Sequence, residues 1–188
     1  MRTTSTTEVI FIGGRSGVGK TSVAAEASNI LRSADIAHAV IEGDNLDQAY
    51  PEPWRNGIDL AEQNLAAMWA NYQSAGYSRL IYTNTVSVLQ ISTLAAALGT
   101  DVRPFGVLLT ADDTTAAQRL AQREIGTALE THIERSALAA AKLNEESTAH
   151  RVITDHRSVE DIAHEVLAAA GWLTSAQHDK QRSSEELS

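Results

Sequence analysis

The sequence predicts an α/β domain: a parallel sheet with helices packed on both faces. Three observations carry that prediction. Short runs rich in β-branched and aromatic residues alternate with longer amphipathic segments from one end of the chain to the other, as strands joined by crossover helices do. The first run leads directly into a glycine-rich stretch, GGRSGVGKTS (residues 13–22), which opens a helix-forming segment. A length of 188 residues with 43% hydrophobic content is enough for one domain with a sizeable core and short for two.

The expected strands are EVIFI (8–12), HAVIE (38–42), RLIYT (79–83), FGVLLT (105–110) and HRVIT (150–154). Between the second and third, Ala61, Leu65, Met68 and Tyr72 recur at helical spacing and place an apolar stripe, expected to be core, on one helix face. The last helix is expected to start at Ser158, with Asp161 completing an approximate capping box. It carries Val159, Ile162, Val166 and Leu167 and stops at Gly171. The domain is therefore read as residues 1–172. Residues 173–188 are polar and without apolar period, so they are expected to be a disordered tail or at most a short surface helix.

Composition narrows the function. A formal charge of −9 argues against a general nucleic-acid binder, which needs clustered Lys and Arg to neutralise phosphates. No apolar run approaches the roughly 18 residues of a membrane span, and the polar start MRTTSTTEV lacks the apolar segment of a secretory signal. With no cysteine there is no disulfide or thiolate metal site. A cytoplasmic protein, monomeric or homodimeric, acting on a small molecule is expected.

Gly14, four residues, then Gly19-Lys20-Thr21 satisfies G-x-x-x-x-G-K-[ST], the Walker A pattern, between an expected strand and an expected helix. Glycines let the backbone curl and turn successive N–H groups toward one point, and the helix N-terminus adds its partial positive charge. Gly14, Ser16, Gly17, Val18, Gly19, Lys20, Thr21 and Ser22 are the expected cradle for a polyphosphate. Lys20 would contact the β and γ phosphates, and the Thr21 hydroxyl would ligate Mg²⁺. Arg15 is a variable position of the pattern and receives no role. The pattern therefore points to ATP or GTP binding.

Other motifs sort the nucleotide-binding classes. The third expected strand ends in Asn84 without the acidic pair of motor ATPases, and no N-K-x-D guanine motif occurs. The second strand does end in acid. VIEGDNLD places Glu42 and Asp44 two residues apart at a carboxyl end, where ligands of parallel sheets bind. Asp44 is the candidate general base, and it could equally hold a Mg²⁺ water; as a plain turn residue it would merely cap the adjoining turn.

At this point the chain resembles the P-loop small-molecule kinases. GGRSGVGKT followed by IEGDN is similar to adenylylsulfate and gluconate kinases, and RVITDHRSVEDIAHEVL is similar to the adenine-side loop and last helix of shikimate-kinase-like enzymes and chloramphenicol phosphotransferase. The resemblance implies a three-layer P-loop NTPase fold with a five-stranded parallel sheet in the order 2-3-1-4-5 and a short lid after the fourth strand. It further implies a Mg-ATP donor and transfer to a small acceptor. Arg119 and Arg123 fall four apart on one helix face in the lid region. The resemblance assigns Arg119 to the nucleotide and Arg123 to the lid over the phosphoryl group, a solvated stripe being the plain alternative. His132, Arg135 and Lys142 form a further basic row, read as solvent-facing, with Arg135 able to close over the phosphates.

From Glu42 to Pro104 the chain carries seven acidic residues and three basic ones, Arg55, Arg79 and Arg103. Gripping an anionic acceptor calls for converging arginines. A neutral or cationic hydroxyl acceptor is therefore expected: a nucleoside, sugar, aminocyclitol or antibiotic. It would be held by Glu42, Asn45, Trp54, Tyr82 and Asn84, with Tyr50, Tyr72 and Thr85 as further contacts. The alternatives are a nucleoside monophosphate or adenylylsulfate kinase, and a regulatory protein or ATPase without transfer.

Overall fold

The computed structural model describes residues 6–121 and 128–173. Five strands, β1 (Thr7–Gly13), β2 (Ala39–Glu42), β3 (Arg79–Thr83), β4 (Val102–Thr110) and β5 (His150–Ile153), form one parallel sheet in the order β2-β3-β1-β4-β5. Around it pack α1 (Lys20–Ser33), α2 (Leu60–Ser74), α3 (Ile91–Leu98), α4 (Asp113–Ala121), α5 (Ala128–Glu146) and α6 (Val159–Ala169).

The strands fall where the sequence places them, except that β4 begins at Val102, ahead of Pro104. Pro104 reads as a strand breaker because it offers no N–H to a ladder. Here Val102, Arg103 and Pro104 pair only with β1, and β5 joins β4 from Val107 onward, so the proline sits where one side of the strand is an edge.

Burial follows the two-residue period of the strands. Ile10 and Ile12 join Val107, Leu109 and Val152 beneath α1 and α6, while Val9 and Phe11 join Leu80 and Tyr82 beneath α2 and α3. A parallel sheet is stable only when both faces are covered in this way.

The stripe on α2 differs from expectation. Leu65 and Trp69 are its buried residues, Ala61 and Tyr72 are partly buried, and Met68 is exposed. The indole wins the inward position because its N–H finds a partner there, donating to Thr7 Oγ1 at 3.2 Å. Met68, one residue back, is rotated by about 100° away from the sheet.

Helix α6 matches its sequence signals. Asp161 N donates to Ser158 Oγ at 3.0 Å, and Ser158 Oγ donates to Asp161 Oδ2 at 2.7 Å. At the other end Gly171 N bonds Ala168 O and Trp172 N bonds Leu167 O, the paired bonds of a Schellman stop. Val159 is exposed, whereas Ile162, Val166 and Leu167 are buried. Trp172 is buried and Leu173 packs on the same core. The expected tail from 174 onward lies outside the described residues, among which no helix is long and apolar enough to cross a membrane.

Because every strand runs the same way, their carboxyl ends lie along one edge of the sheet. That edge carries the glycine-rich loop after β1, the acidic turn after β2, Asn84 and Thr85 after β3, and Thr154 after β5.

Candidate nucleotide and acceptor site

The loop from Gly13 to Gly19 is wedged between the end of β4 and α4. Gly14 has φ +144° and Gly17 φ +83°, and a Cβ would lie 2.7 Å from Leu109 O at the first and 2.6 Å from Ala116 O at the second. Both positions exclude side chains by backbone contact as well as by dihedral angle. Gly19 caps α1 without a side-chain bond, and the first turn of the helix holds no acidic residue, so its positive end faces the loop uncancelled. Thr21, in that turn, is exposed. Val18 is buried, so only its main chain can serve a ligand; Ser16 and Ser22 are half-buried.

Lys20 folds back over this loop. Its Nζ donates to Gly14 O at 2.8 Å and Arg15 O at 3.3 Å, and lies 3.4 Å from Thr85 Oγ1. The ammonium is thereby held at the mouth of the cradle by groups that a polyphosphate could replace. Among the described residues no group of three or more His, Cys, Asp or Glu could hold a metal. A Mg²⁺ shared between the Thr21 hydroxyl, a carboxylate and the phosphates of a nucleotide fits such a site better than one caged by protein alone.

Arg15, to which the sequence pattern assigns nothing, is buried at 3% exposure. Its Nε donates to Ser136 Oγ at 3.0 Å and its Nη1 pairs with Asp113. Ser136 Oγ in turn donates to Ser16 O at 2.9 Å. The first turn of the loop is thus clamped to α4 through Asp113 and to α5 through Ser136. No local pattern signals this, since the two partners lie 98 and 121 residues further along the chain.

Beside the loop, Gly17, Gly19, Ser22, Arg119, Thr154 and Arg157 border a groove of about 140 Å³, with Val159 and Ile162 supplying apolar surface. Arg119 forms one wall. Its Nη1 donates to Thr154 Oγ1 at 3.1 Å and Val18 O at 3.3 Å, and its Nη2 donates to Thr154 O at 3.2 Å. A guanidinium fixed on three oxygens is a rigid planar surface suited to a base. Arg157 is braced by Glu165 at 2.6 Å. The α4 helix that carries Arg119 is capped by Asp112, which accepts from Thr115 N at 2.6 Å, and that bond holds the Asp112 carboxyl below its usual range. Arg123 lies outside the described residues, as do the side chains of His132 and Arg135; Lys142 is exposed, as expected.

On the other side of Lys20 stands the acidic turn. Asn84 Nδ2 donates to Asp44 Oδ1 at 2.8 Å, while Asn84 Oδ1 accepts from Val86 N at 2.9 Å and Asn84 N donates to Ile12 O at 3.2 Å. Asn84, expected to meet the acceptor, holds Asp44 in place. Its neighbour Thr85 reaches Lys20, so consecutive residues after β3 touch the ammonium and the carboxylate.

Tyr82 is core rather than cleft surface, with its ring edge-on to Phe11 at a centroid distance of 5.6 Å. Its hydroxyl lies so close beneath Gly43 that a Cβ there would be 2.2 Å away. Burial, and then the charges of Asp44, Glu62 and Asp47, push the phenol pKa well above its ordinary value. Glu42 is half-buried and Asn45 exposed. Tyr50 and Trp54 are exposed at 92% and 59%, with the Arg55 guanidinium 5.1 Å over the indole. Tyr72 packs edge-on to Tyr77 at the far end of α2, away from this turn.

Two of the three arginines counted for the acceptor region lie elsewhere. Arg79 and Arg103 flank Glu8 at the amino-terminal ends of β3 and β4, at 2.9 and 3.5 Å, on the opposite edge of the sheet.

A parallel sheet of this order, with such a loop after its central strand, is the architecture of the P-loop nucleotide-binding fold. Solved structures place it more closely. The chain is similar to a gluconokinase from Sinorhizobium meliloti 1021 (20% identity, 92% of this chain and 97% of that one, TM-score 0.57). It is also similar to the tunicamycin resistance protein of Deinococcus radiodurans (18%, 89% and 97%, TM-score 0.64) and to a sugar kinase from Janibacter sp. HTCC2649 (20%, 90% and 99%, TM-score 0.55). At these identities the likeness establishes the fold, that of the P-loop small-molecule kinases. No family model matches the sequence, and no curated protein does.

Proposed function

We propose that the protein is an ATP-dependent phosphotransferase that moves the γ-phosphoryl group of Mg-ATP to a hydroxyl of a small neutral or cationic acceptor. The observation that supports this best is the adjacency of the two grips: Thr85 stands against Lys20 and Asn84 holds Asp44. The fold shared with a gluconokinase and a sugar kinase supports the same reading by analogy.

The acceptor oxygen forms its bond to the γ phosphorus as the bond from that phosphorus to the β–γ bridging oxygen breaks. The hydroxyl proton passes to Asp44 and ADP leaves. Loop amides and Lys20 hold the donor phosphates, Arg119 lines the base side, and Arg123 closes over the moving group. The Thr21 hydroxyl, with Asp44 nearby, would hold Mg²⁺, which would supply neutralisation of the phosphate charge.

A monophosphate or adenylylsulfate acceptor is disfavoured because Arg79 and Arg103 are paired with Glu8 on the far edge, leaving Arg55 as the one basic residue of that stretch near the turn after β2. The test is ADP release from Mg-ATP with purified protein, scanned over nucleosides, sugars, aminocyclitols, antibiotics and nucleoside monophosphates. Release that depends on a neutral or cationic acceptor is expected. Turnover of monophosphates alone would reverse the acceptor assignment. ATP consumption independent of any acceptor would make the protein an ATPase, and nucleotide binding without turnover a regulatory protein.

A further inference from the structure

A loop holds a polyphosphate through the direction of its N–H groups, and a loop rich in glycine has little of its own to fix that direction. Each N–H shares a rigid trans peptide with the preceding carbonyl and points the opposite way, so whatever grips the carbonyl aims the N–H. The carbonyls of this loop are gripped from several quarters. Gly14 O and Arg15 O accept from Lys20 Nζ, and Val18 O accepts from Arg119 Nη1. The two Lys20 bonds would be given up once the ammonium turned to a phosphate. Ser16 O is held from α5 instead, by Ser136 Oγ at 2.9 Å.

The hydroxyl that makes this bond has its proton assigned by a neighbour. A serine hydroxyl has one hydrogen and two lone pairs, and a guanidinium only donates. Arg15 Nε donates to Ser136 Oγ at 3.0 Å, so the Ser136 hydrogen is left for Ser16 O. Arg15 and Ser136 are both 3% exposed, which keeps water from competing for either bond, and buried bonds in such a chain polarise one another. Guanidinium, hydroxyl and carbonyl thus form one relay that ends, across a planar amide, at the Gly17 N–H. Gly17 is where a hold of this kind is needed. Its φ of +83° suits glycine, and the same freedom lets its peptide turn unless something outside the loop stops it. Gly17 borders the groove beside the loop and Ser136 does not, so the carbonyl faces α5 while the N–H faces away from it, toward the cradle.

Packing alone does not account for Arg15. Its Nη2 is buried and has no partner among the described residues. An unpaired buried N–H is costly, and an apolar side chain would fill the position without that cost. What an apolar side chain could not supply is the Nε–H that sets the Ser136 hydroxyl.

We infer that Ser136, its hydroxyl set by Arg15, is a positioning residue that aims the Gly17 N–H at the phosphate tail of the nucleotide. This rests on the nucleotide-binding part of the proposed function and not on any acceptor.

The experiment therefore needs no acceptor. It uses the full chain with Mg-ADP and adenosine as probes, and reads binding by calorimetry and by amide NMR. Ser136→Ala should weaken Mg-ADP about tenfold, as loss of one well-aimed hydrogen bond to a charged group does, and leave adenosine, which has no phosphate, bound as before. Ser136→Thr, which keeps the hydroxyl, should restore Mg-ADP affinity. In the unmodified protein the Gly17 amide proton should move downfield on addition of Mg-ADP, and in Ser136→Ala that movement should shrink. Equal affinity of Ser136→Ala and the unmodified protein for Mg-ADP overturns the inference, as does equal weakening of Mg-ADP and adenosine, which would make Ser136 a structural residue only. Should Ser136→Ala fail to fold, the unmodified protein decides: a Gly17 amide that does not move with Mg-ADP bound overturns the inference and leaves the nucleotide reading intact. Absence of Mg-ADP binding by the unmodified protein overturns both.

Discussion

The two halves of the proposed site are built from different materials. The donor side is main chain and buried polar groups: glycines pressed on carbonyls, Arg15 clamped to Asp113 and Ser136, Arg119 fixed on Thr154 and Val18. The acceptor side is side chains on turns, with aromatic rings in solvent and carboxylates without counter-ions among the described residues. A triphosphate tail has one shape and one charge, so a rigid cradle serves it. An acceptor varies between enzymes of one fold, so its site is made of parts that change without disturbing the core.

The largest expected effect falls on the donor side. Lys20→Ala should lower kcat/KM about 10²–10³-fold with the melting temperature unchanged, as removal of one preorganised donor to a developing charge does. A loss of fold along with activity would instead make Lys20 a structural member of the loop.

Next comes the carboxylate. Asp44→Asn should reduce kcat by about 10²–10⁴-fold while leaving ATP affinity in place. Asn84→Ala should lose less, since it frees Asp44 without removing it. Nucleotide titrations beside single-turnover assays check both, and loss of ATP binding with transfer unaltered would refute the base role.

The clamp should act on stability more than on chemistry. Asp113 is 83% exposed, and surface residues of that kind ordinarily tolerate change. Its removal nevertheless leaves the buried Arg15 guanidinium with Ser136 alone, so Asp113→Ala should destabilise by about 1–2 kcal/mol, less than a fully buried pair because one partner is solvated. Chemical denaturation measures it; a change within about 0.5 kcal/mol would show that the pair contributes nothing.

The smallest effect is the sharpest on the contrast of edges. Arg103→Ala, at the amino edge, should leave turnover of every acceptor unchanged and cost at most about 1 kcal/mol, as exposed ion pairs do. Selective loss of activity toward an anionic acceptor would place that arginine in the cleft after all.

The glycine-rich loop was the legible part, because its determinants are contiguous. Residues 13–22 lie in one run, and the strands declare themselves by local composition. What escaped depended on distance along the chain or on competition for one position. Arg15 is explained only by partners on helices far downstream. Asn84 was legible as a polar strand end but not as the brace of Asp44, 40 residues earlier. Met68 and Trp69 both satisfied a helical stripe, and the partner for the indole, Thr7, stands 62 residues before it.

Asn84 and Thr85 are covalent neighbours, their α-carbons about 3.8 Å apart across one planar peptide. In the proposed mechanism the residue that braces Asp44 and the residue that meets Lys20 would therefore share one rigid peptide, and a shift of that peptide would carry both contacts with it.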